Sequence, residues 1–170
     1  MQAYIALLRA VNVGGTGKLP MTELKAMCEA AGFKSVQTYI ASGNVVFKSA
    51  KSEPQVKAVL EAALAAYAGK PVGVHVRTAA EMAAVLAGNP FVGMPGNLNH
   101  AIFLDKPPGA GGLDTVSGKA NEQLRIGLRE IYAYYPDGAG QSKLKIPAAK
   151  TGTARNMNTV AKLAEMAAAL

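Results

Sequence analysis

The stretch "VQTYIASGNVVFK", residues 36–48, decides the fold of the first half of this sequence. "VQTYI" alternates polar and apolar side chains, "SGN" supplies turn residues, and "VVFK" is a second run rich in β-branched and aromatic residues. Two such runs around a short glycine-containing turn predict a β-hairpin. On its first strand, Val36 and Ile40 are expected to point into a core and Tyr39 away from it.

The elements on either side of the hairpin alternate between strand and helix. Residues 3–9 form a near-continuous apolar run, which is typical of a central strand. A helix is predicted from Pro20 to a stop at Gly32, and a strongly amphipathic helix over residues 54–68. "VGVHV", residues 72–76, alternates again and predicts the last strand of the series. The resulting order, βαββαβ, predicts a ferredoxin-like lobe.

The second half of the chain has a weaker pattern. Thr78 is predicted to cap a helix over residues 79–88, and the Pro- and Gly-rich segment over residues 89–97 to separate two lobes. Beyond it we expect strands over residues 100–104, 123–128 and 130–135, a short helix over residues 142–149 and an amphipathic helix over residues 158–169. We therefore predict an α+β fold, with a ferredoxin-like lobe over residues 1–89 and a second α+β lobe over residues 90–170 packed on it as one compact unit.

The composition is that of an ordinary globular protein with an excess of positive charge. Of 170 residues, 50% are hydrophobic, and 18 Lys+Arg against 11 Asp+Glu give a formal net charge of +7. Such an excess favours anionic partners, either a small molecule or nucleic acid. The first apolar run ends at Arg9, too early for a membrane span or a signal peptide, so we expect a cytoplasmic protein with no membrane partner.

Cysteine and histidine usage predicts no metal site and no cofactor. The single cysteine, Cys28, lies on the apolar face of the first predicted helix, which indicates a buried and inert thiol. No Cys/His cluster has the spacing of zinc ligands.

The segment "NVGGTGKL", residues 12–19, is close to a phosphate-binding loop of the form G-x-x-x-x-G-K-[ST]. Asn12 stands where that loop has its first glycine, and Leu19 where it has the hydroxyl group that holds Mg²⁺. The predicted hairpin also disagrees with the parallel sheet of phosphate-loop enzymes, so nucleotide hydrolysis is not expected. Gly14 and Gly15 still place backbone N–H groups just before a helix, an arrangement suited to an anion.

Polar side chains collect at the ends of the predicted elements in both lobes. Turn formation or helix capping explains each of them singly, but as a group they suggest a ligand-binding site. The candidate ligand-binding residues are Arg9, Asn12, Gly14, Gly15, Tyr39, Ser42, Asn44, Ser142, Lys143, Arg155 and Asn156.

Four blocks of the sequence are similar to one known family. They are "ALLRAVNVGG", "LPMTELKAMCEAAGF", "VQTYIASGNVVF" and "TARNMNTVAKLAEM". Together they resemble the uncharacterised bacterial domain-of-unknown-function family 1697 over nearly the whole chain. The resemblance implies two α+β subdomains, the first ferredoxin-like, and no established biochemical activity. It implies motif positions at Arg9, Asn12, Gly14, Gly15, Met21, Tyr39, Ser42, Gly43, Asn44, Ser142, Arg155, Asn156 and Thr159.

The chain departs from the family pattern at three positions. Ala10, Ala41 and Met157 stand where glycine, glutamine and tryptophan are common in the family. The family also varies across residues 16–18, which argues against Lys18 as a phosphate-binding lysine.

Three functions remain open. The leading hypothesis is binding of a small anionic ligand, with or without catalysis, in a cleft formed by strand and loop ends of the two lobes. Arg9 and Arg155 would supply its positive charge. The second is a nucleic-acid-binding module that uses the open face of the first sheet, with Tyr39, His75 and Arg77 as contacts. The third is a structural or protein-interaction protein without catalytic activity, in which both Arg9 and Arg155 are expected to be buried and paired.

Overall fold

Antiparallel pairing forms two four-stranded sheets in the computed structural model, which describes residues 1–13 and 18–170. The strands are β1 (Gln2–Leu8), β2 (Lys34–Thr38), β3 (Asn44–Ser49), β4 (Val74–Thr78), β5 (Asn99–Phe103), β6 (Gln123–Ile126), β7 (Glu130–Tyr134) and β8 (Thr153–Asn156). The α-helices are α1 (Met21–Ala30), α2 (Glu53–Ala68), α3 (Ala79–Ala87) and α4 (Met157–Ala168). These elements confirm the α+β class.

The chain divides into two compact units, one of residues 1–83 together with 162–170, the other of residues 84–161. The predicted lobes, residues 1–89 and 90–170, stay a prediction of domain organisation. Within the described residues, no helix combines the length and the apolar character that crossing a membrane requires.

The first sheet has the strand order β2-β3-β1-β4. Its β2–β3 pair is the predicted hairpin, with Thr38 opposite Val45. The turn begins earlier than predicted, because β2 ends at Thr38 and Ile40 has a φ of 50°. Left-handed backbone at this position turns the Ile40 side chain outward, and it is 48% exposed. The prediction that Ile40 points into the core is therefore wrong.

The core of the first unit packs α1 and α2 against one face of this sheet. Val56, Leu60 and Leu64 follow one another every four residues along α2, which places them on one helical face, and all three are buried. Val74 and Val76 of β4 belong to the same cluster. Val74 and Val76 therefore face the helices of the first unit.

The opposite face of the first sheet is buried as well. Ile5 and Leu7 on β1 are fully buried, and His75 and Arg77 on β4 are only 2% and 1% exposed. A nucleic-acid strand needs side chains that it can reach from solvent, so His75 and Arg77 cannot serve as its contacts on this face. The prediction that His75 and Arg77 contact nucleic acid is therefore wrong. Tyr39, the third predicted contact, is half-buried.

The second sheet has the strand order β6-β7-β5-β8. The two sheets share one topology: in each, the second strand along the chain lies at one edge, followed by the third, the first and the fourth. Strand β8 of the second sheet pairs with β5 and was not predicted, since four residues are too few for a recognisable alternation. The helix predicted over residues 142–149 is wrong. That segment contains a single 3-10 turn, Pro147–Ala149, because a proline favours extended backbone in the residue before it, and Ile146 has a φ of −118°.

Candidate functional site

A pocket of about 370 Å³ opens in the first unit where β1 ends. Arg9 follows β1, and its backbone N–H donates to the carbonyl oxygen of Gly73 at 2.9 Å. Because Gly73 has no side chain, Arg9 can lie across it; a Cβ at Gly73 would stand 3.4 Å from the Arg9 Cβ and 3.6 Å from its Cδ. The described part of the lining comprises residues 9–11, 18–19, 64, 67–68 and 70–73. Three separate chain segments and the end of α2 therefore meet at this pocket.

The charges of the lining have one sign. Arg9, Lys18 and Lys70 belong to it, and no Asp or Glu is among its described residues. All three cationic residues are exposed, and neither Lys18 nor Lys70 forms an ion pair within residues 1–13 and 18–170. A concave surface lined by one sign of charge raises the local concentration of ions of the opposite sign.

Two of these cationic residues were absent from the predicted site. The predicted site contains neither Lys18, which stands where the family varies, nor Lys70. Lys70 follows Gly69, which ends α2 with a left-handed φ of 71°. The sequence shows that Lys70 is a basic residue just after the end of a helix. It does not show that Lys70 lines the same pocket as Arg9, because only the fold brings the two residues together.

Asn12 closes the glycine-rich loop beside the pocket. Its Oδ1 accepts the Leu19 backbone N–H at 2.7 Å, and its Nδ2 donates to the carbonyl oxygens of Leu19 at 2.9 Å and Ala41 at 2.8 Å. The amide therefore holds the backbone at Leu19, next to Lys18, rather than pointing into the pocket. Gly14 and Gly15, two further predicted site residues within this loop, lie outside the described residues.

The predicted site residues of the hairpin turn come together, and they form hydrogen bonds with one another within the turn. Asn44 is fully buried, and its Nδ2 donates to the Tyr39 carbonyl oxygen and to Ser42 Oγ, both at 2.9 Å. The Tyr39 backbone N–H donates in turn to the Asn44 carbonyl oxygen at 2.9 Å. Asn44 thus stabilises the turn from inside.

Ser142 and Lys143 line a smaller pocket of about 170 Å³ in the second unit. The Ser142 hydroxyl donates to the Glu122 carboxylate and accepts the Leu144 backbone N–H at 3.1 Å. Glu122 is 4% exposed, and the hydrogen bond from Ser142 is the main cause that lowers the pKa of its carboxyl group. Sequence reasoning missed Glu122, because nothing local connects it to a serine twenty positions later.

Arg155 and Asn156 lie on β8 and make local contacts. Arg155 is 7% exposed, donates to Thr153 Oγ1 at 2.8 Å and to the Ala154 carbonyl oxygen at 2.9 Å, and burial lowers its pKa to about 10. Asn156 Oδ1 accepts the Thr159 backbone N–H at 3.0 Å at the start of α4. Neither residue lines the smaller pocket of the second unit. Arg155 is thus buried, as a structural role predicts, whereas Arg9 is exposed and lines a pocket.

The described residues contain no group of three or more His, Cys, Asp or Glu side chains arranged to hold a metal ion. Cys28 is fully buried, which confirms the prediction of a buried thiol, and burial raises its pKa to about 12. A thiol that stays protonated at neutral pH is a poor nucleophile.

Comparison with known proteins adds a family and a fold. A family model described as a protein of unknown function, DUF1697, matches residues 1–132. Among solved structures, that of a conserved bacterial protein from Streptococcus pneumoniae is similar, with a TM-score of 0.77 and 24% sequence identity over 98% of each chain. A similarity at this identity concerns the fold alone. No curated protein matches the chain.

Proposed function

The chain belongs to the DUF1697 family of unknown function, and on that premise we propose that it binds a small anionic ligand in the pocket at the end of β1. The observation that supports this most is the set of three cationic side chains, Arg9, Lys18 and Lys70, in a described lining without a carboxylate. These residues come from the end of a strand, a glycine-rich loop and the segment after a helix. Their sharing of one concave surface is a property of the fold.

Solvent exposure sets the strength of this binding. All three cationic residues are exposed, so each contact with an anion takes place in a high-dielectric environment and contributes roughly 0.2–1 kcal/mol. Three such contacts sum to at most about 3 kcal/mol, so a bare inorganic anion should bind weakly, with a Kd on the order of 10 mM or above. Added salt should weaken it further, because exposed charges are screened.

A titration followed by ¹H–¹⁵N correlation spectra tests the proposal with inorganic phosphate, pyrophosphate and succinate as probes. We expect the largest shifts at the backbone amides of Arg9, Lys18 and Gly73, and a Kd that rises with ionic strength. The double variant Arg9→Gln/Lys70→Gln should weaken binding by about 2- to 30-fold, since two exposed charge contacts of roughly 0.2–1 kcal/mol each are lost.

Lys25→Gln is the matched control, since Lys25 is an exposed lysine of the same unit and lies on α1 outside the pocket lining. It removes one charge without touching the pocket and should leave the Kd unchanged. Equal binding by the control and the double variant would overturn the proposal, as would shifts spread over the whole surface.

The part that residues of the second unit play stays a separate proposal. Arg155 and Asn156 were predicted to join Arg9 at one cleft, and we retain them as candidates on the basis of the sequence alone. Arg155→Gln and Asn156→Ala in the same titration test this, since an unchanged Kd in both would remove these residues from the site. Arg155→Gln removes a hydrogen bond within β8 and Asn156→Ala one to the start of α4, so unfolding midpoints are compared first.

We also propose that the first unit is ferredoxin-like. Its element order β1α1β2β3α2β4 and its sheet order β2-β3-β1-β4 support this assignment. A cytoplasmic location remains an expectation from the sequence, which localisation of the tagged protein by cell fractionation tests.

A further inference from the structure

The anion-binding pocket has a second, apolar side. Besides the three cationic residues, its lining includes Leu64, Tyr67 and Ala68 from the last turns of α2, and Pro71 and Val72 after it. A bare inorganic anion makes no use of such a wall. The wall therefore indicates a ligand with an apolar body attached to its charged group.

Tyr67 is the residue of this wall that carries most information. It lies seven residues after Leu60 and three after Leu64, which places all three side chains on one face of α2. Leu60 and Leu64 are 0% and 1% exposed, whereas Tyr67 is 46% exposed. The Tyr67 side chain thus lies on the face of α2 that packs into the core, but at the end of the helix, where that face lines the pocket. It exposes apolar and π surface to the pocket.

The size of the pocket limits the ligand to one compact molecule. A volume of about 370 Å³ is near the lower end of the range of about 300–1,000 Å³ typical of small-molecule sites. It suits a single ring with one charged group and is small for a dinucleotide.

Building on the proposed function, we infer that the ligand is a phosphate monoester whose organic part contains an aromatic ring. A phosphate monoester carries about 1.5–2 negative charges at pH 7, which matches three cationic side chains better than a single carboxylate does. Arg9, Lys18 and Lys70 bind the phosphate oxygens, and the ring packs on Tyr67 and the aliphatic wall formed by Leu64 and Val72. The specificity of the site lies in Tyr67.

The test compares phenyl phosphate with methyl phosphate, which has the same charged group and no ring, and with inorganic phosphate. We expect phenyl phosphate to bind at least about 5-fold more tightly than methyl phosphate, the lower end of what stacking on an aromatic side chain contributes. Tyr67→Ala should abolish this preference, so that phenyl phosphate and methyl phosphate bind with equal affinity. Tyr67→Phe should retain the preference, because the ring and not the hydroxyl supplies the contact.

The outcomes separate this inference from the function on which it rests. Equal affinities for phenyl and methyl phosphate, with phosphate binding that still depends on Arg9 and Lys70, would overturn the inference and leave anion binding in place. A ring preference that survives Tyr67→Ala would also overturn it. Absence of binding by all three phosphates would overturn both this inference and the proposed anion binding. Unfolding midpoints equal to that of the parent protein show that Tyr67→Ala and Tyr67→Phe are folded.

Discussion

The glycine of the "SGN" turn offers the sharpest test of the fold. Gly43 has a φ of 90°, a backbone conformation that residues with a Cβ rarely adopt. A Cβ at this position would stand 2.7 Å from Val11 Cγ2 and 2.8 Å from Leu8 Cβ. Leu8 is fully buried and Val11 is 8% exposed, so neither neighbour can move out into solvent. Gly43→Ala therefore adds a steric overlap to a strained backbone.

The two effects add to about 2–4 kcal/mol of lost stability. Positive φ costs an alanine roughly 1 kcal/mol, and overpacking of a filled site typically costs about 1–3 kcal/mol. Gly32→Ala is the matched control, because Gly32 has a φ of 85° and nothing within 4 Å of the position of its added Cβ. That variant should lose only the backbone part, roughly 1 kcal/mol.

Urea unfolding followed by far-UV circular dichroism measures both variants against the parent protein. With an m-value of about 2 kcal/mol/M, we expect the midpoint to fall by about 1–2 M for Gly43→Ala and by about 0.5 M for Gly32→Ala. Equal midpoints for the two variants would refute the steric reasoning, because the backbone strain is common to both. A change in m-value for Gly43→Ala would mean that the substitution alters the denatured ensemble or the cooperativity of unfolding instead.

Three further predictions concern other residues. Asn12→Ala should weaken phosphate binding without removing a charge, because the two hydrogen bonds from the Asn12 amide to the Leu19 backbone are lost. An unchanged Kd in the titration above would contradict this prediction. Since the pKa of Glu122 is lower in the folded protein than its ordinary value of 4.5, its contribution to stability is present above that value and is lost as the pH falls through the folded pKa. Ser142→Ala removes the main cause of this lowering, so in urea unfolding measured from pH 6 to pH 2 we expect the acid-induced loss of stability to begin at higher pH, and an unchanged pH profile would contradict this. Cys28, buried and with a pKa of about 12, should react with a thiol reagent at pH 8 only when the protein opens; rapid labelling without denaturant would show that the thiol is accessible.

The sequence by itself determined what depends on neighbours a few positions away. Alternation predicted the hairpin, and the four-residue repeat predicted α2, because these periods are set by the geometry of strand and helix. The cap of α3 was also readable: the Thr78 hydroxyl accepts the Glu81 N–H at 3.1 Å. The predictions that Ile40 points into the core and that residues 142–149 form a helix were wrong, because the backbone conformation at Ile40 and before Pro147 differs from that of a strand and a helix.

Tertiary structure decided which of the polar residues share a surface. Asn44 and Ser42 are close in sequence and proved to be bonded within one turn, whereas Arg9 and Lys70 are 61 positions apart and line the same pocket. Strand pairing sets such distances: Leu7 lies opposite His75, which brings the segment before β4 to the end of β1. No period in the sequence records this pairing, since it results from the register of strands distant along the chain. The local sequence therefore specifies the elements, and the register between them creates the pocket.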